Sequence, residues 1–145
     1  MTGWRVGFAV GNAQLVGALG KVKTNVDSGV FQAVQEAAIT ALGSGDEKLR
    51  EYCAIYQQRR DVTVSALRAL GLECDVPRAT FYLWARVPKG YTSVSFTERV
   101  LKETGVVITP GSGFGKSGEG YVRFSLTVAS ERLNEAVERI KALQL

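Results

Sequence analysis

Histidine is absent from this chain of 145 residues, and only two cysteines, Cys53 and Cys74, are present. The cysteines lie far apart and outside any C-x-x-C spacing, so the chain lacks the ligand sets that zinc sites use. Without histidine, Ser-His and Cys-His catalytic pairs are excluded as well. We therefore predict no metal site, and we expect both cysteines to be reduced packing residues.

Long apolar runs and a charge excess concentrated in one segment are also missing. We therefore predict no signal peptide, no membrane span and a cytoplasmic location. The 18 Lys and Arg residues exceed the 14 Asp and Glu residues by only four, and the two signs are interspersed. This mixture argues against a surface that follows a phosphate backbone, so we predict no nucleic-acid partner. The hydrophobic content of 46% is typical of a globular protein with a sizeable core.

The first third of the chain predicts one strand and two helices. Residues 4–10 are nearly all apolar, which is typical of a strand covered on both faces. A helix is predicted from Ala13 to about Lys23. A second helix, over about 30–42, is apolar on several sides and is therefore expected to be buried, with Asp27 or Ser28 as its cap.

A long helix follows the Gly43-Ser-Gly45 segment. Ser44 and Glu47 have the spacing of a capping box, and Gly71 is the expected stop after Leu70. At about 1.5 Å per residue this helix is about 36 Å long, which is enough to connect two domains.

The remainder of the chain predicts strands and helices that build one open sheet. The expected strands are 80–87, 106–109 and 121–128. The expected helices are one capped by Ser95 and Glu98 that ends at Gly105, and one that Ser130 caps. The order of these elements indicates an α/β fold, with an α+β C-terminal part in which helices pack on the sheet.

Two arginines stand alone in otherwise apolar predicted strands. Arg5 lies between glycines, and Arg123 lies between aromatic and aliphatic residues. A guanidinium in an apolar strand is costly to bury unless it meets an anion, so both are candidate ligands for an anionic molecule. Arg5 could instead extend into solvent from a strand end, and Arg123 could instead pair with Glu119 or Glu98.

The segment Pro110-Gly-Ser-Gly-Phe-Gly115 is rich in glycine but lacks the G-x-G-x-x-G spacing into a helix. A dinucleotide site is therefore not expected there, and the segment is either a wall of a binding site or a plain connection. Taken alone, these patterns indicate an α/β protein with a candidate anion site, and they do not identify a reaction.

Several motifs together resemble those of a known enzyme family. Met1-Thr-Gly-Trp-Arg-Val-Gly7 resembles the segment after the catalytic lysine in class I, fold-type I aminotransferases, which use pyridoxal 5′-phosphate. The similarity covers essentially the whole chain. It continues through Leu19–Lys23, Asp27–Ala33, Ala79–Trp84, Pro88–Thr92, Val107–Gly115 and Tyr121–Leu126. The motifs Asp27-Ser-Gly-Val-Phe-Gln, Pro88-Lys-Gly-Tyr-Thr and Pro110-Gly-Ser-Gly-Phe-Gly are most similar to the bacterial LL-diaminopimelate aminotransferase branch.

The resemblance implies roles for particular residues. Arg5 matches the arginine that binds the cofactor phosphate, and Arg123 matches the arginine that holds the α-carboxylate of the substrate. Asn25 lies where the family brings residues toward the substrate pocket of a neighbouring subunit. The Schiff-base lysine of the family is expected upstream of Met1, so the resemblance implies no catalytic residue within this chain.

The resemblance also implies an organisation and an activity. Residues 1–44 correspond to a remnant of the large cofactor-binding domain, residues 45–71 to a connecting helix and residues 72–145 to the small C-terminal domain. The expected reaction transfers an amino group between LL-diaminopimelate and 2-oxoglutarate, in a homodimer. Aspartate or another amino acid is the alternative substrate, and a non-catalytic module that binds small molecules is the alternative class. The isolated chain is expected to be inactive.

Overall fold

The structure is a computed structural model that describes residues 2–143, with the backbone alone for Thr2. It divides into two compact units, of which the first ends at Leu49 and the second begins at Arg50. The two units differ in how much of their apolar surface they bury.

The first unit consists of a short 3-10 turn, Thr2–Trp4, and two helices, α1 (Ala13–Lys23) and α2 (Gln32–Gly43). Helix α1 begins as predicted because the side-chain oxygen of Asn12 accepts hydrogen bonds from the backbone N–H groups of Gln14 and Leu15, at 2.9 and 3.2 Å. None of the residues described between positions 3 and 49 is buried. The first unit therefore has no core of its own.

The predicted strand over residues 4–10 is wrong, because residues 5–10 have no regular secondary structure. A strand is stabilised by hydrogen bonds to a neighbouring strand, and within residues 2–143 no strand pairs with this segment. The prediction that α2 is buried on several sides is also wrong here, since α2 contains no buried residue. An apolar sequence pattern identifies surface that could be covered but does not supply what covers it.

Two of the predicted caps in this region are wrong as well. The side chain of Asp27 accepts a hydrogen bond from the backbone N–H of Gly29, at 2.9 Å, and α2 begins after Phe31 without a side-chain cap. The hydroxyl of Ser44 donates to the carbonyl of Ala41, at 2.8 Å, so it ends α2 instead of starting the next helix. Both side chains bond locally to the backbone, which competes with helix capping.

The second unit contains the core and an antiparallel sheet of three strands, β1 (Tyr82–Arg86), β2 (Thr109–Pro110) and β3 (Tyr121–Ser125), in the order β1-β3-β2. Most of helix α3 (Glu47–Ala69), together with α4 (Ser93–Thr104) and α5 (Ser130–Lys141), completes this unit. The predicted α/β fold, an open sheet with helices packed on it, is confirmed. Strand β2 overlaps the predicted strand 106–109 only at Thr109, because residues 106–108 have no regular secondary structure.

The two faces of the sheet differ in composition. Leu83 and Ala85 of β1 and Val122 and Phe124 of β3 are buried in the core. Because side chains alternate along a strand, the remaining residues of these strands lie on the opposite face. The register places Trp84 opposite Arg123, Tyr82 opposite Ser125, and Arg86 opposite Tyr121. We call this the outer face of the sheet.

In the second unit, the predicted C-terminal ends of the helices agree with the structure better than the predicted N-terminal caps do. Gly71 follows α3 with φ of 81°, and Gly105 ends α4 with φ of 69°, as predicted from the preference of glycine for this region. Helix α4 begins with a capping box between Thr92 and Ser95, three residues before the predicted one. Ser130 does not cap α5, and its hydroxyl instead accepts a hydrogen bond from Arg59 Nε at 3.1 Å.

The two cysteines have different environments. Cys74 is buried in the core, as predicted, and burial raises the pKa of its thiol because it disfavours the charged thiolate. Cys53 is exposed, so its predicted packing role is wrong.

Candidate functional site

Arg123 lies on β3 at the centre of the outer face, held between two aromatic rings. Its guanidinium carbon is 4.1 Å from the ring centroid of Tyr82 and 4.4 Å from that of Phe114. Contacts at these distances attract the cation electrostatically to both ring faces. The two rings therefore restrict the orientation of the guanidinium plane.

Different elements supply the two rings. Tyr82 is the first residue of β1, and the pairing of β1 with β3 brings it to the side of Arg123. Phe114 ends the 3-10 turn Gly111–Phe114, which directly follows β2. The ring of Phe114 also packs edge-on against Trp84, at 5.7 Å between centroids, and Trp84 stacks on Tyr121 at 5.8 Å. The outer face is thus an aromatic cluster with the guanidinium of Arg123 at its centre.

No carboxylate within residues 2–143 pairs with the guanidinium of Arg123. Its Nε atom is buried and has no hydrogen-bond partner among the described residues. Both alternatives raised from the sequence are wrong, because Glu98 pairs with Lys102 at 3.7 Å and Glu119 accepts a hydrogen bond from the backbone N–H of Ser93 at 2.8 Å. A buried donor without a partner is costly, and a planar anion is the ligand whose geometry matches a guanidinium.

Arg86, on the same face, has a different environment. Its Nε is 3.0 Å from a carboxylate oxygen of Glu73, and its Nη2 donates to the hydroxyl of Tyr121, also at 3.0 Å. The charge of Arg86 therefore already has a partner, which distinguishes it from Arg123.

Arg5 and Asn25, the other two predicted site residues, belong to the first unit. Arg5 is exposed and has a φ of 52°, an uncommon conformation for a residue other than glycine. Backbone strain of this kind concentrates at ligand-binding positions. Asn25 is exposed in the turn after α1, and its side-chain amide donates to the carbonyl of Lys21 at 2.7 Å.

Sequence reasoning missed the roles of Tyr82 and Phe114. The alternation of Tyr82, Trp84 and Arg86 in a strand does place these residues on one face, and this signal could have identified Tyr82. No comparable periodicity exists in the glycine-rich loop, so the contact between Phe114 and Arg123 needed the tertiary structure. That contact brings the loop to one side of the candidate site, and the role of the loop as a wall of a binding site stays a prediction.

Two negative findings concern the part of the chain that the structure describes. It contains no group of three or more Cys, Asp or Glu residues placed to hold a metal ion. None of its helices is both long and apolar enough to cross a membrane.

Comparisons with known proteins agree on one family. The family model for aminotransferase class I and II matches residues 1–140. LL-diaminopimelate aminotransferase from Nitratidesulfovibrio vulgaris (strain DP4) is 63% identical over 143 residues, which cover 99% of this chain and 37% of the relative. The enzyme of the same name from Aquifex aeolicus is 56% identical over 145 residues, covering 100% and 38%.

Solved structures give the same result. An aminotransferase from Staphylococcus aureus superposes with a TM-score of 0.89 at 38% identity, covering 99% of this chain and 38% of that chain. Substrate-bound BacF from Bacillus subtilis superposes with a TM-score of 0.85 at 37% identity, covering 100% and 37%. The chain thus spans less than two fifths of the length of these proteins.

Proposed function

Because the chain belongs to the class I and II aminotransferase family, we propose that it forms part of a pyridoxal-phosphate-dependent aminotransferase in which Arg123 binds the substrate α-carboxylate. The observation that carries this proposal is the uncompensated guanidinium of Arg123 between Tyr82 and Phe114. A planar guanidinium with fixed charge matches the two oxygens of a carboxylate, and such paired hydrogen bonds fix orientation as well as position.

The consequence for the reaction is geometric. An α-carboxylate held by a guanidinium of restricted orientation presents the Cα–H bond of the amino acid in one direction. In our proposal, a group outside this chain then removes the proton from Cα. The role of Arg123 is therefore to bind and orient the substrate.

The cofactor would meet this chain at Arg5. An exposed guanidinium suits the phosphate dianion, and the space where side chains on Gly3 and Gly7 would begin is open, which permits close approach of the backbone. When bound, pyridoxal phosphate supplies an electron sink for the carbanion formed at Cα. The positions of Arg5 and Arg123 in the family's motifs support this assignment.

For the substrate pair we propose LL-diaminopimelate and 2-oxoglutarate, as in the relatives that carry the name LL-diaminopimelate aminotransferase at 51–64% identity. An aspartate aminotransferase from Thermotoga maritima is 33% identical, so a different amino acid is the less supported alternative.

We also propose a cytoplasmic homodimer in which Asn25 faces the partner subunit. The division into a cofactor-domain segment (1–44), a connecting helix (45–71) and a small domain (72–145) is part of this proposal.

The test is substitution of Arg123 by glutamine in the complete enzyme. We expect kcat/KM for the amino acid to fall about 10²-fold, since loss of a charged hydrogen-bonding pair costs about 3 kcal/mol. The matched control is Arg86→Gln on the same face of the sheet, which should change kcat/KM less than about threefold, because the exposed pair with Glu73 contributes little. Equal effects of the two substitutions would contradict the proposal.

A further inference from the structure

The loop that carries Phe114, residues 111–120, is fixed at both ends. At its start, Thr109 and Pro110 of β2 pair with Arg123 and Val122 of β3. At its end, the backbone N–H groups of Gly120 and Tyr121 both donate to the hydroxyl oxygen of Ser93, at 2.9 and 3.2 Å. We call residues 111–120 the Phe114 loop.

Ser93 and Glu119 join the loop to helix α4 in both directions. Ser93 is the first residue of α4 and is completely buried, and its hydroxyl also donates to the carbonyl of Gly118 at 3.3 Å. The carboxylate of Glu119, on the loop, accepts a hydrogen bond from the backbone N–H of Ser93 at 2.8 Å. The first N–H groups of a helix have no partner within the helix, so this bond satisfies one of them and favours the negative charge.

The loop itself is compact. A Cβ atom on Gly111 would overlap the carbonyl oxygen of Gly118, and one on Gly118 would overlap the carbonyl oxygen of Gly111. The two glycines therefore bring the ends of the loop into direct backbone contact. Phe114 lies between them in sequence, so the position of its backbone beside Arg123 depends on this contact.

We propose that Ser93 and Glu119 are positioning residues for the carboxylate site, because together they hold the Phe114 loop against α4 and thereby keep Phe114 on the guanidinium of Arg123. Nothing in the described contacts joins Ser93 or Glu119 to Arg123, so their effect passes through Phe114. The inference rests on the proposed role of Arg123 as the carboxylate ligand.

The physical consequence concerns the cost of binding. An arginine side chain that must be ordered when its ligand binds loses rotamer entropy at that moment, whereas one already held between two rings does not. Releasing the loop should therefore weaken carboxylate binding without removing any atom that touches the ligand.

The experiment uses Trp84 as a reporter. Trp84 contacts both Phe114 and Tyr121, and the only other tryptophan is Trp4, so a Trp4→Phe background isolates its fluorescence. In that background the 145-residue chain is compared with Glu119→Ala, Glu119→Gln and Ser93→Ala. Ser117→Ala is the matched control, since Ser117 is exposed on the same loop and makes no described hydrogen bond. Trp84 emission, acrylamide quenching, thermal unfolding and calorimetric binding of 2-oxoglutarate are measured for each.

We expect Glu119→Ala and Ser93→Ala to shift the emission of Trp84 to longer wavelength, to increase its quenching and to weaken binding of 2-oxoglutarate about tenfold. Glu119→Gln keeps an acceptor oxygen and should recover binding to within about threefold of wild type. Ser117→Ala should match wild type. Glu119 is exposed, so its variants are expected to stay folded even where Ser93→Ala does not, which the unfolding curves establish.

The outcomes separate this inference from the proposed function. If Arg123→Gln abolishes binding while folded Glu119→Ala binds as tightly as Ser117→Ala, the inference is wrong and the proposed function stands. If wild type does not bind 2-oxoglutarate, the carboxylate role is contradicted for this chain, and the Trp84 signal alone decides whether Glu119 holds the loop. An unchanged Trp84 signal in folded Glu119→Ala overturns the inference whatever the binding result.

Discussion

Thr80, two residues before β1, has a backbone φ of 74°, which β-branched residues rarely adopt. Its side chain is exposed and makes no described hydrogen bond that would offset the strain. Glycine adopts this conformation without steric cost. We predict that Thr80→Gly raises the free energy of unfolding by up to about 1 kcal/mol, measured by urea denaturation.

The neighbouring Ala79 provides the control, since its φ is not positive. Ala79→Gly should lower stability by about 0.5–1 kcal/mol, because it only adds freedom to the unfolded chain. Destabilisation by both substitutions would show that the backbone at Thr80 is not strained.

The pH dependence of stability should report on Glu119. The hydrogen bond from the Ser93 backbone N–H holds the pKa of Glu119 below its ordinary value, because it favours the ionised carboxylate. The carboxylate therefore stabilises the fold fully above the pKa of the unfolded chain, and this contribution is lost as pH falls through the lower pKa of the folded state.

We predict that Glu119→Gln destabilises the chain at pH 7 and that the difference from wild type narrows as pH falls from about 5 to about 3. Chemical denaturation at a series of pH values measures it. A difference that stays constant over this range would mean that the charge of Glu119 contributes nothing to the bond with Ser93.

At the scale of elements, the Phe114 loop depends on Gly111 and Gly118, of which only Gly111 lies in the glycine-rich segment 110–115. Gly118 contacts the backbone of Gly111, whereas the space around Gly113 is open. We predict that Gly118→Ala lowers stability by about 1–3 kcal/mol, since backbone atoms must move to admit the methyl group. Gly113→Ala should be close to neutral, and thermal unfolding compares the two. Similar losses at both positions would contradict the close contact.

Element boundaries show which sequence signals are reliable in this chain. Helix stops at Gly71 and Gly105 were predicted correctly, because glycine at a positive φ is a requirement of the local backbone. Capping by Ser44, Ser95 or Ser130 was predicted incorrectly, because each hydroxyl has another acceptor or donor within reach. Which partner a serine selects depends on the surrounding fold.

At the scale of the whole molecule, the two units predict different solution behaviour. Between positions 3 and 49 the first unit exposes Phe8, Leu15, Phe31 and other large apolar side chains and buries none, whereas the second unit has its own core. We predict that residues 50–145 alone unfold cooperatively and remain monomeric at concentrations where the full chain associates, since exposed apolar surface favours association. Analytical ultracentrifugation of both proteins tests this, and equal association would contradict it.

The proposed role as part of an enzyme also predicts that the isolated chain does not attach the cofactor covalently to one of its lysines. The lysine that carries the cofactor in the family is expected upstream of the matched segment, and the lysines of this chain are assigned no such role. Borohydride treatment of the isolated chain with pyridoxal phosphate should therefore give no stoichiometric adduct at a single lysine, by mass spectrometry of peptides. A single reduced lysine at full occupancy would contradict the prediction, and randomly labelled surface lysines at low occupancy would not.

The amino-acid sequence by itself determined the helices, two of the three strands of the sheet, the family and the identity of Arg123 as an unusual cation, since periodicity, glycine stops and motifs are local properties of the chain. The tertiary structure alone decided that Arg123 has no carboxylate partner in the described part of the chain and that the rings of Tyr82 and Phe114 lie on its guanidinium. These facts depend on strand register and on a loop tied to a helix by Ser93 and Glu119, and such contacts between distant residues leave no periodic trace in the sequence.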